Sequence, residues 1–158
     1  MDAIERIVDQ MERTHVGNPW TGMPFTKLLE DVNHVQAAAM PIEDGHSIWE
    51  IVLHLITTQE LIVDLVRGEM RPFEPGDEWP PVVDVSAAAW QETLDRFFGG
   101  DVEVREAVAF GVPDALLDEP LQEGGSSAYN NLHGYVQHAV YHGGQISMLK
   151  RLTERDRS

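Results

Sequence analysis

The stretch from Ile48 to Arg67 runs without a glycine or a proline, and both of its ends are punctuated. Ser47 and Glu50 form the Ser-x-x-Glu pattern of a capping box at the front, and Gly68 offers a terminator behind. Apolar residues fall on most sides of this stretch rather than along one stripe. A helix of that kind must be covered nearly all round, so it belongs in the middle of a bundle and requires partner helices.

The partners can be read on either side. Ile4, Ile7, Val8 and Met11 follow the three-and-four spacing of an amphipathic helix that Gly17-Asn18-Pro19 interrupts. A second apolar series from Phe25 through Leu28, Leu29 and Val32 to Ala39 ends before Pro41, so this first helical region reads as broken or kinked. Residues 69–84 contain Pro72, Pro75, Gly76, Pro80 and Pro81, which predicts a long connection, and its Phe73 and Trp79 predict that it packs down and walls a pocket. A third helix is expected from Ser86, with Gly99-Gly100 marking a break or a loop before Val102 to Val108. A last helix should start near Ser126 or Ser127 and continue to about Thr153. With four main helices and no alternating strand pattern, the expected class is all-α, organised as one domain over residues 1–158.

Charge narrows the function. Asp and Glu number 27 against 11 Lys and Arg, a formal charge of −16, and such a field repels phosphate backbones and anionic lipid surfaces. The expectation is no nucleic-acid partner and no membrane partner. Met1 to Arg6 carries acidic residues where a secretory signal carries positive charge, which predicts a cytoplasmic protein. The chain has no cysteine, so any sulfur chemistry must use a thiol brought from outside.

Histidines supply the candidate site. His138 and His142 are four apart in a predicted helix, which places their Cβ atoms about 5–6 Å apart on one face, a separation one metal ion can bridge. Tyr135, Gln145, Ile146 and Leu149 share that face, so the pair points at the bundle interior, where imidazoles need a metal or hydrogen-bond partners. His54 sits in the most apolar stretch of the chain and is a third candidate, with a hydrogen-bonded core histidine as the alternative. His15, His34, His46 and His133 are expected to be non-ligands. The run His138-Ala139-Val140-Tyr141-His142 lacks the glutamate of His-Glu-x-x-His, which removes the main support for a protease.

Ser47-Ile48-Trp49-Glu50-Ile51-Val52-Leu53-His54 and the segment Leu132 to Ile146 resemble the two signature helices of the DinB-like superfamily, and Trp79-Pro80-Pro81 and Ala89-Trp90 add to the likeness. The resemblance implies a four-helix bundle of up-down-down-up course with a long connection between its second and third helices. It also implies that His54, His138 and His142 bind one divalent ion, zinc or nickel.

Three neutral imidazoles leave a coordination position open, as catalytic sites do. Two reactions are expected on a small-molecule substrate: metal-assisted hydrolysis, or transfer of an exogenous low-molecular-weight thiol. The alternative is a non-catalytic metal- or ligand-binding helical module. Glu50 is a candidate to orient His54, act as a base or simply cap its helix; Gln145 is a candidate pocket hydrogen-bond donor, and Tyr141 a candidate to orient substrate. Gly143-Gly144, inside a helix, suits close approach of a neighbouring helix or of a partner in a homodimer.

Overall fold

The capping box at Ser47 forms as its sequence predicts. Ser47 Oγ accepts from the Glu50 amide at 3.1 Å while Glu50 Oε2 accepts from the Ser47 amide at 2.8 Å, and Gly68, at φ 71°, closes the helix in the left-handed region that favours glycine. The computed structural model describes residues 1–72 and 74–155. Among these the order is α1 (Ala3–His15), α2 (Phe25–Leu29), α3 (His34–Ala38), α4 (Ile48–Arg67), α5 (Ala87–Gly111) and α6 (Ala128–Arg155), with a short 3-10 turn at Asp114–Leu116. The protein is therefore all-helical over the described residues, apart from an isolated bridge between Pro120 and Ser127. No described helix is long and apolar enough to cross a membrane.

The region after Pro24 is broken further than the apolar series suggests, into α2 and α3, because Asn33 starts a new helix by accepting from the Gln36 amide at 3.0 Å. Ser127 Oγ accepts from the Asn130 amide at 3.2 Å and so opens α6 where expected.

The sequence reading of Gly99-Gly100 as a break or loop is wrong. α5 runs through both without interruption. Gly100 is where α5 comes against α4: a Cβ there would lie 2.4 Å from Gln59 Oε1, so glycine marks a close helix crossing rather than an end.

α4 packs most extensively on α5 and also on α6, while α1 covers α5 and α6 from the other side. Two apolar clusters result. One joins Phe25, Leu28, Trp49, Leu55, Trp90, Phe97 and Ile146, and the other joins Ile7, Met11, Val63, Val104, Val108 and Leu132.

A buried polar layer contains one residue from each of the four long helices: His15, Gln59, Asp101 and Tyr135. His15 Nδ1 donates to the Met11 carbonyl at 3.1 Å and lies 3.0 Å from Asp101 Oδ1, while Arg105 Nε donates to Asp101 Oδ2 at 3.1 Å. The His15 Nδ1 proton goes to Met11, and Asp101 Oδ1 has no hydrogen-bond partner among the described residues. Burial, followed by the nearby Asp101 carboxylate, raises the Tyr135 phenol above its ordinary value and keeps it neutral.

The connection over residues 69–84 lies against the helices as expected. Trp79 packs on the first apolar cluster, and Arg71 pairs with Glu60 at 3.7 Å and with Asp64 at 4.0 Å on α4. Phe73, the other aromatic residue expected to pin it, lies outside the described residues.

Candidate metal centre

α4 packs against α6, and His54 emerges on the side of α4 that faces it. α6 contributes His138 and His142 from successive turns. The three rings converge through the same atom. His54 Nε2 and His142 Nε2 lie 3.0 and 3.1 Å from His138 Nε2, and one nitrogen from each residue falls within a common 4.8 Å.

The far side of two rings is committed elsewhere. His54 Nδ1 donates to the Glu78 carbonyl at 2.7 Å, and His142 Nδ1 donates to Gln145 Oε1 at 2.6 Å. Both rings therefore carry their proton on Nδ1 and present an Nε2 lone pair to the shared point. His138 Nε2 carries at most one proton and can donate it to one of them, which leaves the other Nε2 lone pair without a donor at hydrogen-bond distance. A cation at the centre would serve all three nitrogens. Nitrogens about 2.0–2.1 Å from a tetrahedral zinc ion stand about 3.3 Å apart, close to the two spacings measured from His138 Nε2. The donor set and its spacing fit a divalent ion.

Protonation favours the same reading. Burial, with the neighbouring His142 and His54 rings adding to it, pushes His138 down to about 4. Burial also lowers His142, against the opposing effect of the hydrogen bond that it donates to Gln145. At neutral pH these two imidazoles are uncharged and free to ligate.

A cavity of about 440 Å³ opens over the triad. Trp79 forms one wall and is held between two histidines. Its ring centroid is 4.1 Å from that of His54 with planes 9° apart, and 3.6 Å from that of His46 with planes 1° apart. His46 Nδ1 in turn lies 3.9 Å from Glu50 Oε2.

The other expected site residues fall around this cavity in different ways. Gln145 touches a triad histidine directly and donates through Nε2 to the Tyr141 hydroxyl at 3.2 Å. Tyr141 lines the cavity and is 64 % exposed. Glu50 does not contact the triad within hydrogen-bond distance; its Oε2 is engaged by the Ser47 amide and hydroxyl. Of the histidines set aside as non-ligands, His15 is a core residue, His34 Nδ1 donates to the Val85 carbonyl at 2.8 Å, and His133 packs against Tyr129 with the two rings tilted by 50°. His46 alone reaches the cavity. A Cβ built on Gly143 would lie 3.5 and 3.9 Å from Phe25 and Leu28 of α2, at ordinary contact distance, so α2 lies beside this glycine without requiring it, while one on Gly144 meets nothing within 4 Å.

Sequence reasoning missed the Glu78 carbonyl, since a backbone acceptor leaves no side-chain signal. It also missed Met148, which the helical period places seven residues beyond Tyr141 on the same face.

Comparison with known proteins agrees with this geometry. A family model described as the DinB superfamily matches residues 20–146, a span that includes α4, most of α6 and all three histidines. A search of curated proteins and a search of solved structures return no match.

Proposed function

Because the chain belongs to the DinB superfamily, we propose that it is a metal-dependent enzyme in which His54, His138 and His142 hold one divalent ion, zinc or nickel, and act on a small molecule in the cavity above. The observation that carries this reading is the convergence of three Nε2 atoms while two of the Nδ1 atoms are tied outward. The four long helices α1, α4, α5 and α6 are then a four-helix bundle of up-down-down-up course, with residues 69–84 as its long connection.

Bound there, the ion would lower the pKa of water or of an exogenous thiol and supply the nucleophile for hydrolysis or thiol transfer. The chain's own residues do the rest. Gln145 fixes the orientation of His142, and the Glu78 carbonyl fixes that of His54. Trp79 covers one edge of the triad and limits access of bulk water. Tyr141 offers its hydroxyl at the mouth of the cavity to orient substrate, and Glu50 Oε2 lies 3.9 Å from Nδ1 at the edge of the His46 ring. The absence of cysteine favours a thiol from outside over a protein-borne sulfur nucleophile.

Elemental analysis of protein purified without an affinity tag should return one divalent ion per chain. Turnover on a panel of model esters, amides and thiol-plus-electrophile pairs should be lost on chelation and restored by metal. Stoichiometric metal without chelator-sensitive turnover on any of them would leave a binding module instead of an enzyme.

A further inference from the structure

The walls of the cavity differ sharply in chemistry from the surface around them. Ile42, Ile51, Trp79, Met148 and Leu149 supply an apolar lining beside Tyr141, and no Lys or Arg is among the described lining residues. The formally charged residue on the wall is acidic, Glu78, and Glu50 stands behind His46. Nearby cations are engaged elsewhere. Lys150 on α6 binds the Leu28 carbonyl and the Asp31 carboxylate, and Arg71 pairs with Glu60 and Asp64. Among the described lining residues none is Lys or Arg, so the charge that a ligand's anionic group meets there is the metal's, in a protein of formal charge −16.

An anionic group placed on the metal is compensated. A second anionic group on the same molecule would lose its hydration against apolar walls, with no Lys or Arg among the described lining residues to pair with it. The apolar lining meanwhile gains from covering a hydrocarbon body. Resting on the metal reading above, we infer that the cavity selects small molecules with an uncharged apolar or aromatic body and a single metal-binding anionic group, and rejects molecules that carry a second anionic group. Discrimination comes from the missing cation on the wall, and Met148 is the position where one could be supplied, because it is 64 % exposed on α6 and lines the cavity.

Two probes that differ by one carboxylate test this: benzohydroxamate and 4-carboxybenzohydroxamate. The full-length protein is first titrated with cobalt(II) alone, followed by its visible absorption. Failure to take up one cobalt per chain would sink the metal reading itself. With cobalt bound, calorimetry at pH 8 and low salt should show benzohydroxamate binding about tenfold or more tightly than its carboxylated analogue. Met148→Arg, a change on an exposed helix face to a good helix former, should close the gap to within about threefold. Cobalt uptake with equal affinity for the two probes, or tighter binding of the dianion, overturns the inference and leaves the metal site standing. An undiminished gap in Met148→Arg overturns the assigned cause.

Discussion

His54 donates its Nδ1 proton to the Glu78 carbonyl at 2.7 Å, so the middle of α4 is tied to the connection that covers it, and the next residue, Trp79, lies flat over the same imidazole at 4.1 Å. Metal at His54 will change the electronic surroundings of that indole. Tryptophan fluorescence should therefore report metal titration, and Trp79→Phe should remove most of the change while still binding metal by calorimetry. Trp49 and Trp90 are buried in the apolar cluster with their indole N–H groups bonded to Thr93 and to the Val32 carbonyl, and Trp20 is 99 % exposed, so none of them should contribute. A full fluorescence response in Trp79→Phe would contradict the stacking.

His138 is the proposed ligand with least support, since its Nδ1 is buried and has no hydrogen-bond partner among the described residues. Its place in the metal-free protein is correspondingly poor. His138→Ala should abolish the rise in Tm that added zinc produces, yet cost the metal-free protein less than about 1 kcal/mol, well below an ordinary large-to-small core change. Gln145→Ala, which frees the His142 ring, should instead weaken metal binding by about 10- to 100-fold without abolishing it. Thermal melts with and without zinc separate the two. A large destabilisation of metal-free His138→Ala would show that this ring is a structural core residue.

The same histidine sets a pH dependence. Its folded value of about 4 lies below its ordinary 6.5, so between those limits the unfolded chain holds a proton that the folded chain refuses. Stability of the metal-free protein must then fall as pH drops from 6.5 to 4, and this contribution levels off below. After allowance for partial solvent screening the loss is roughly 1–2 kcal/mol. Urea unfolding across this range, compared with His138→Ala, should show a shallower slope in the variant. Identical slopes would remove His138 as the cause.

Gly99 and Gly100 are neighbours on α5 with opposite expected responses. A Cβ at Gly99 meets nothing within 4 Å, whereas one at Gly100 meets Gln59 Oε1 at 2.4 Å and Gln59 Cδ at 3.1 Å. Gln59 is buried and held by its Nε2 bond to the Phe97 carbonyl at 3.1 Å, so it has little room to retreat. Gly99→Ala should stabilise by about 0.5–1 kcal/mol through helix propensity, and Gly100→Ala should destabilise by about 1–3 kcal/mol through overpacking. Denaturant midpoints give both signs. Stabilisation in both variants would mean that the helices can separate at little cost.

Much of this molecule was legible before any coordinates. The ends of α4 were encoded locally, in a capping box and a terminal glycine, and such signals survive into the fold because they act within one turn. The histidine pair on α6 was likewise a matter of helical spacing. That His54 meets this pair depends on how α4 lies against α6, which residue spacing leaves open and which only the family likeness implied. Gly99-Gly100 misled because glycine disfavours a helix locally, while the approach of α4 that keeps those residues helical is made by Gln59, far away in sequence. The role of the Glu78 carbonyl was invisible for a similar reason: every residue has one, and only the path of the connection selects it.

The polar layer of His15, Gln59, Asp101 and Tyr135 carries a consequence for the placement of the imidazoles. Each long helix contributes one member, so sliding α1 by a turn against α5 would part the buried Asp101 carboxylate from His15, and sliding α4 against α5 would break the bond from Gln59 to the Phe97 carbonyl. The layer works as an index mark cut across these helices, penalising both misalignments. Through it, residues with no contact to the triad help to set the height of α4, and with it the level at which the ring of His54 arrives.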